Sequence, residues 1–326
     1  MNPQVPPHKR EKIFRILVAA IALVSILAAV VYSLYGILSD VNATHRLLLE
    51  AFMAKDKETL SPALPPETSE DAMSSDSPTP TERRSVSLDL THSDRTIENA
   101  TSYTLDETAL NEYRFDTHLF DTRPMILLYH SEPMASYWQE GAASVPVSHP
   151  FTSENREETV IALGNVVSDV LESAGIASIH LTEKVSDPAK TLGEYRLLYP
   201  SIRYCLDIRR DGIYTTDGRI VRSRGTIDGE ETAQLMLAVG CDIENRTLDW
   251  QKNLAAAYRI AAMLRSAEPS VIRPIYLRPE ALGQQDAVTH LTLFVGTTGN
   301  THAESLRSAR FFARYLALFI LSNCGV

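Results

Sequence analysis

Met125-Ile126-Leu127-Leu128-Tyr129-His130-Ser131-Glu132 sets five apolar residues against an abrupt polar end. A short apolar run without alternation marks a strand buried on both faces, and such strands belong to sheets covered by helices on each side. Downstream, 157–173 has helical spacing. Val160, Leu163, Val167, Val170 and Leu171 fall on one side, and Gly175 provides a stop. Further strands are predicted over 177–181, 203–208, 235–239, 274–277 and 291–295, and helices over 249–266 and 301–323. This alternation predicts an α/β fold, a mostly parallel central sheet flanked by helices, over residues 116–326. No repeat of fixed period is visible.

Upstream the texture changes twice. Residues 16–38 are 23 residues without a charge. At about 1.5 Å per residue they reach about 35 Å, enough for a hydrocarbon core of about 30 Å. Lys9, Arg10, Lys12 and Arg15 precede them against one acid, Glu11, so the first fifteen residues carry +3 and the remainder −13. The positive-inside rule then makes 1–15 a cytoplasmic tail, 16–38 an uncleaved transmembrane anchor, and everything after it extracytoplasmic. A cleaved signal would have a shorter apolar region and a small-x-small site, and Val31-Tyr32-Ser33-Leu34 is a poor one. Residues 39–115 read as a stalk and disordered linker. Pro62, Pro65, Pro66, Pro78 and Pro80 lie among Ser, Thr, Asp and Glu, with too little apolar area to offset ordering entropy.

The acidic bulk argues against nucleic acid, which needs a clustered basic surface. The three cysteines, Cys205, Cys241 and Cys324, form no CxxC pair, so thiolate zinc and redox motifs are disfavoured. Cys205 and Cys241 read as buried small hydrophobes, with a disulfide left open by an extracytoplasmic location.

Ligands of such sheets bind at strand carboxyl ends. Three segments therefore hold the candidate site: 129–132, 207–211 and 295–301. In this order, after one anchor, they resemble the stage II sporulation protein P family. That family's Tyr-His-Thr-His and Ser-Glu-Ser-Tyr motif is similar to Tyr129-His130-Ser131-Glu132-Pro133-Met134-Ala135-Ser136-Tyr137. Its Val-Glu-Val-Gly helix opening is similar to Ile161-Ala162-Leu163-Gly164, and its Asp-Leu-His-Arg-Asp to Asp207-Ile208-Arg209-Arg210-Asp211. Its final Val-Gly and Asn-Thr-x-x-Glu are similar to Val295-Gly296 and Asn300-Thr301-His302-Ala303-Glu304. The similarity covers about 123–323.

The resemblance implies an amidase-like fold and a zinc-dependent cell-wall hydrolase. Such an enzyme needs three protein ligands with an open position for water, and a carboxylate base. The positions it assigns to that chemistry are Glu132, Ala162, Arg209 and Phe294 here. Alanine and phenylalanine offer no lone pair, and arginine is a permanent cation. No cofactor is therefore expected, unless a divergent active amidase or endopeptidase keeps zinc with His130 and Glu132 as residual ligands. The groove candidates are His130, Glu132, Ser136, Asp207, Arg209, Arg210, Asp211 and Asn300. Asp207 and Asp211 read as partners of Arg203, Arg209 or Arg210, and Arg209 beside Asp207 or Glu132 suggests an ion pair. His118, His149, His180, His290 and His302 are scattered without ligand spacing and read as structural. The expected function is a membrane-anchored, catalytically degenerate domain that binds peptidoglycan or recruits wall-remodelling partners. The alternatives are the divergent hydrolase and a membrane scaffold without wall binding. By resemblance, partners include a lytic transglycosylase and a polytopic membrane protein.

Overall fold

The computed structural model describes residues 82–91, 95–115, 123–241, 249–284 and 288–323. The expected anchor, His118 and Cys324 lie outside the described residues. Among the described residues no helix is long and apolar enough to cross a membrane. Every described residue belongs to the unit Glu67–Gly325.

In chain order the strands are β1 (Glu82–Arg83), β2 (Ser85–Leu88), β3 (Ile97–Asn99), β4 (Ile126–Tyr129), β5 (Val145–Pro146), β6 (Ser178–His180), β7 (Tyr204–Asp211), β8 (Ile220–Ile227), β9 (Glu230–Ala233), β10 (Leu235–Gly240), β11 (Ile275–Arg278) and β12 (Thr289–Thr297). The helices are α1 (Glu107–Glu112), α2 (Val160–Ser173), α3 (Pro188–Leu198), α4 (Trp250–Ala267) and α5 (His302–Ser322). A seven-stranded sheet runs β3-β11-β10-β12-β7-β4-β6. All its neighbours are parallel except β10 and β12. β4, β6, β7 and β12 thus end at one edge, and β3, β10 and β11 at the opposite edge. The mostly parallel α/β sheet expected from the sequence is observed, and its three candidate strand ends share an edge.

All four residues of β4 are buried. Burial of each Ile or Leu side chain contributes about 1.5–3 kcal/mol relative to exposure. Side chains alternate between faces along a strand. Leu127, Tyr129 and Cys205 join Val185, Leu192 and Ile202 on the face covered by α3. The other face is covered by α2, α4 and α5. Tyr204 meets Phe319 of α5 edge-on there, with ring centroids 6.2 Å apart. Thr159 caps α2, its hydroxyl accepting from the Ile161 amide at 3.3 Å. Gly175 follows the helix at φ +78°, a conformation glycine adopts without Cβ strain. Thr301 and Glu304 close a capping box on α5.

Two differences from the sequence reading have physical causes. First, the linker does not extend to residue 115. β3 adds to the sheet edge beside β11, β2 pairs in parallel with β8, and β1 pairs with β5. Leu90 donates its amide to the Gln234 side-chain oxygen at 2.9 Å, and Gln234 donates back to Asp89 at 2.7 Å. These strands are short and half-exposed, so main-chain pairing rather than apolar burial orders them. Second, the β8–β9 hairpin and α3 were not anticipated. Asp228 and Gly229 turn the hairpin at φ +53° and +83°, the left-handed pair that an Asp-Gly dipeptide favours. The cysteines follow the sequence reading: Cys205 and Cys241 are both buried, and no disulfide joins the two.

A chain truncated to begin at residue 116 is expected to unfold at a lower temperature than one beginning at residue 82, measured by circular dichroism. Equal midpoints would deny β1–β3 any part in stability.

Candidate functional site

The edge where β4 and β7 end is organised by one carboxylate. Asp207 lies on the α3 face and has no exposed surface. Its Oδ1 accepts from the Ser131 amide at 3.1 Å, and its Oδ2 accepts from the Ser131 hydroxyl at 2.7 Å. Arg209, two residues along β7 and so on the same face, donates to Oδ2 from Nε at 2.6 Å and from Nη2 at 2.5 Å. Nη2 also donates to the Ser131 hydroxyl oxygen at 3.0 Å. A buried carboxylate is tolerable only when paired and hydrogen-bonded, and this ring supplies both conditions. The arginine pairs with Asp207 and not with Glu132, which is exposed in the turn after β4.

Phe294 stands beside Arg209 across the β7–β12 pairing and opposite Met236 of β10. Ala162 is buried in the first turn of α2. The four positions at which the resemblance expects zinc chemistry therefore hold an exposed carboxylate, two hydrocarbon side chains and a cation already committed to Asp207. That donor set does not fit zinc. Among the described residues, no group of three or more His, Cys, Asp or Glu side chains is arranged to hold a metal ion.

His130 turns away from this ring into the α2 face. Its Nδ1 contacts the Ile208 carbonyl at 2.9 Å, and its Nε2 lies 2.8 Å from Nε2 of His180 rather than engaging Glu132. Burial pushes His130 down to about 4. His180, held at about 4 by burial and then by His130, reaches Asn165 through Nδ1 at 3.1 Å.

The remaining candidates hold the scaffold. Ser136 is buried, and its carbonyl accepts from Arg210, which also donates to the Phe151 carbonyl at 3.3 Å. Asp211 pairs with Arg273 at 2.8 Å, a partner from outside the expected set. Asn300 has no exposed surface. It accepts from the Thr297 and Ser223 amides and donates to the Ser223 carbonyl and to Glu304, tying β8, β12 and α5 together. It lines no groove. A cavity of about 350 Å³ opens beside the Asp207 ring, lined by Ser131, Lys184, Ser186, Pro188, Arg209 and Leu282 among others. Only Arg209 of these was a sequence candidate. Lys184 follows β6 in a loop whose place depends on the strand pairing, and no local signal marks it.

Behind Arg209, the Tyr129 hydroxyl and Nε2 of His290 are hydrogen-bonded at 2.9 Å, both fully buried. Burial, and then the Arg209 guanidinium, pushes His290 from 6.5 down to about 3. Burial followed by Asp207 raises the Tyr129 phenol.

Arg209→Ala is expected to cost about 3–5 kcal/mol in denaturant unfolding, because Asp207 is left buried and uncompensated. Arg209→Met combined with Asp207→Leu should recover most of that loss. For His290 the folded pKa is depressed, so the unfolded chain binds a proton that the native state refuses. Its contribution is whole above pH 6.5 and declines towards pH 3. His290→Gln should make unfolding free energy fall less steeply with acidification, whatever its effect on absolute stability.

Comparison with known proteins adds the following. No curated protein matches the chain. Among solved structures, N-acetylmuramoyl-L-alanine amidase AmiC2 of Nostoc punctiforme superposes with a TM-score of 0.37 at 12% identity, covering 61% of this chain and 96% of its own. The catalytic domain of CwlV, an N-acetylmuramoyl-L-alanine amidase from Bacillus (Paenibacillus) polymyxa var. colistinus, gives 0.33 at 10%, covering 61% and 95%. The CwlD amidase from Clostridioides difficile, in complex with the GerS lipoprotein, gives 0.35 at 10%, covering 61% and 95%. Likeness this distant says nothing about chemistry. The family model of stage II sporulation protein P (SpoIIP) matches residues 48–317, reaching well upstream of the segments that carried the resemblance. The chain belongs to the stage II sporulation protein P family.

Proposed function

We propose that this chain is a membrane-anchored, non-hydrolytic member of its family that binds peptidoglycan outside the cytoplasm and recruits wall-remodelling partners. The observation that carries the reading is the Asp207–Arg209–Ser131 ring. It puts a committed guanidinium where the family has a histidine able to ligate, while Ala162 and Phe294 supply neither ligand nor base. A guanidinium at such a position repels a divalent cation. What the edge offers a ligand is the cavity with Lys184 and Arg209 on its wall, suited to an anionic group such as a stem-peptide carboxylate. The anchor rests on the uncharged run 16–38 and the basic cluster before it, which put the N-terminus in the cytoplasm.

The detergent-solubilised full chain should sediment with insoluble peptidoglycan and release no soluble fragments from it. Cleavage that is lost on chelation would turn the reading into a divergent amidase. Absence from the pellet would leave only a scaffold.

A further inference from the structure

The paired imidazoles of His130 and His180 are not used by the function proposed above. The Nδ1 of His130 faces the Ile208 carbonyl oxygen at 2.9 Å. A carbonyl oxygen can only accept, so this Nδ1 carries the proton and Nε2 carries a lone pair. The Nδ1 of His180 faces the side-chain oxygen of Asn165 at 3.1 Å. The same logic leaves a second lone pair on Nε2 of His180. These two nitrogens lie 2.8 Å apart. Two lone pairs at that distance repel unless a proton or a metal ion bridges them.

The surroundings point the same way. Histidines that bind metals donate their other N–H to a carbonyl or amide oxygen, which fixes the ring and its tautomer. Both rings have that outer partner. Both nitrogens also converge on Gly164 in α2. A Cβ at that position would lie 2.3 Å from Nε2 of His180 and 2.8 Å from Nε2 of His130. The φ of Gly164 is not positive, so glycine serves here to let both rings pack against the helix backbone and not to relieve the backbone. His180 is half-exposed, which gives access from solvent.

We propose that His130 and His180 form a two-histidine site for a divalent ion of the zinc, cobalt or nickel class, with water completing the shell. Imidazole nitrogen suits those ions and not magnesium or calcium, which take oxygen donors. An ion about 2.1 Å from each nitrogen would be subtended at roughly a right angle by the pair as placed. The site uses none of Glu132, Ala162, Arg209 and Phe294, and it does not rest on the absence of hydrolysis.

Co²⁺ is the probe. The full chain in detergent, stripped by chelator and dialysed, is titrated with Co²⁺ and followed by visible d–d absorption, with Zn²⁺ added as competitor. One Co²⁺ per chain displaced by Zn²⁺ is expected. His180→Gln keeps a hydrogen-bonding side chain next to His130 and should weaken binding at least about ten-fold, with thermal unfolding confirming the fold. Asn165→Asp should retain binding or tighten it, because a carboxylate still accepts from Nδ1–H. Co²⁺ failing to bind, or binding unchanged in His180→Gln, overturns the proposal. Loss of binding in Asn165→Asp with the fold intact also overturns it. The pair would then be a metal-free relay in which the Asn165 amide donates to His180 and His180 donates to His130. Wall cleavage by the Co²⁺-loaded chain would count against the non-hydrolytic reading and leave this site standing.

Discussion

A carboxylate without exposed surface must have its charge compensated wherever the chain places it, and Asp207 imposes that demand on the edge where β4 and β7 end. Ser131 meets it from the turn after β4, and Arg209 meets it from the same face of β7. The position of Arg209 determines much else. The cavity wall beside it is cationic, His290 behind it is held neutral partly by its charge, and Phe294 next to it packs as hydrocarbon. Beside the Asp207 ring, the cavity wall therefore presents cationic side chains suited to an anion.

The central sheet was legible because buried strands announce themselves as apolar runs, unbroken in β4 and β10 and shorter within β7 and β12. β2 and β3 were not. Their residues are half-exposed or exposed, and their order comes from hydrogen bonds to β8 and β11, partners more than a hundred residues away. The hairpin β8–β9 did carry a local signal, the Asp228-Gly229 dipeptide between alternating residues, which is not an apolar run.

The site shows the same division between local and non-local information. Asp207 and Arg209 sit two apart on one strand, so their meeting on one face followed from the pleat. Asp211 with Arg273, and His130 with His180, meet only because of strand register. Leu128 of β4 is level with His180 of β6, which brings the ring of His130 against it. Asn300 followed a strand end and read as a groove residue. Its amide instead satisfies main-chain groups that a crossing of β8, β12 and α5 would otherwise leave buried without partners. Sequence order marked where the groups sit, and sheet topology decided which of them face each other.

Cys205 and Cys241, buried and unbridged, bear on how the domain matures. Burial lifts the Cys241 thiol to about 12. At neutral pH the reactive thiolate is therefore scarce there. No disulfide joins these two positions, so their packing needs no oxidant. Packing at these two positions therefore sets no redox requirement on the compartment in which the domain folds.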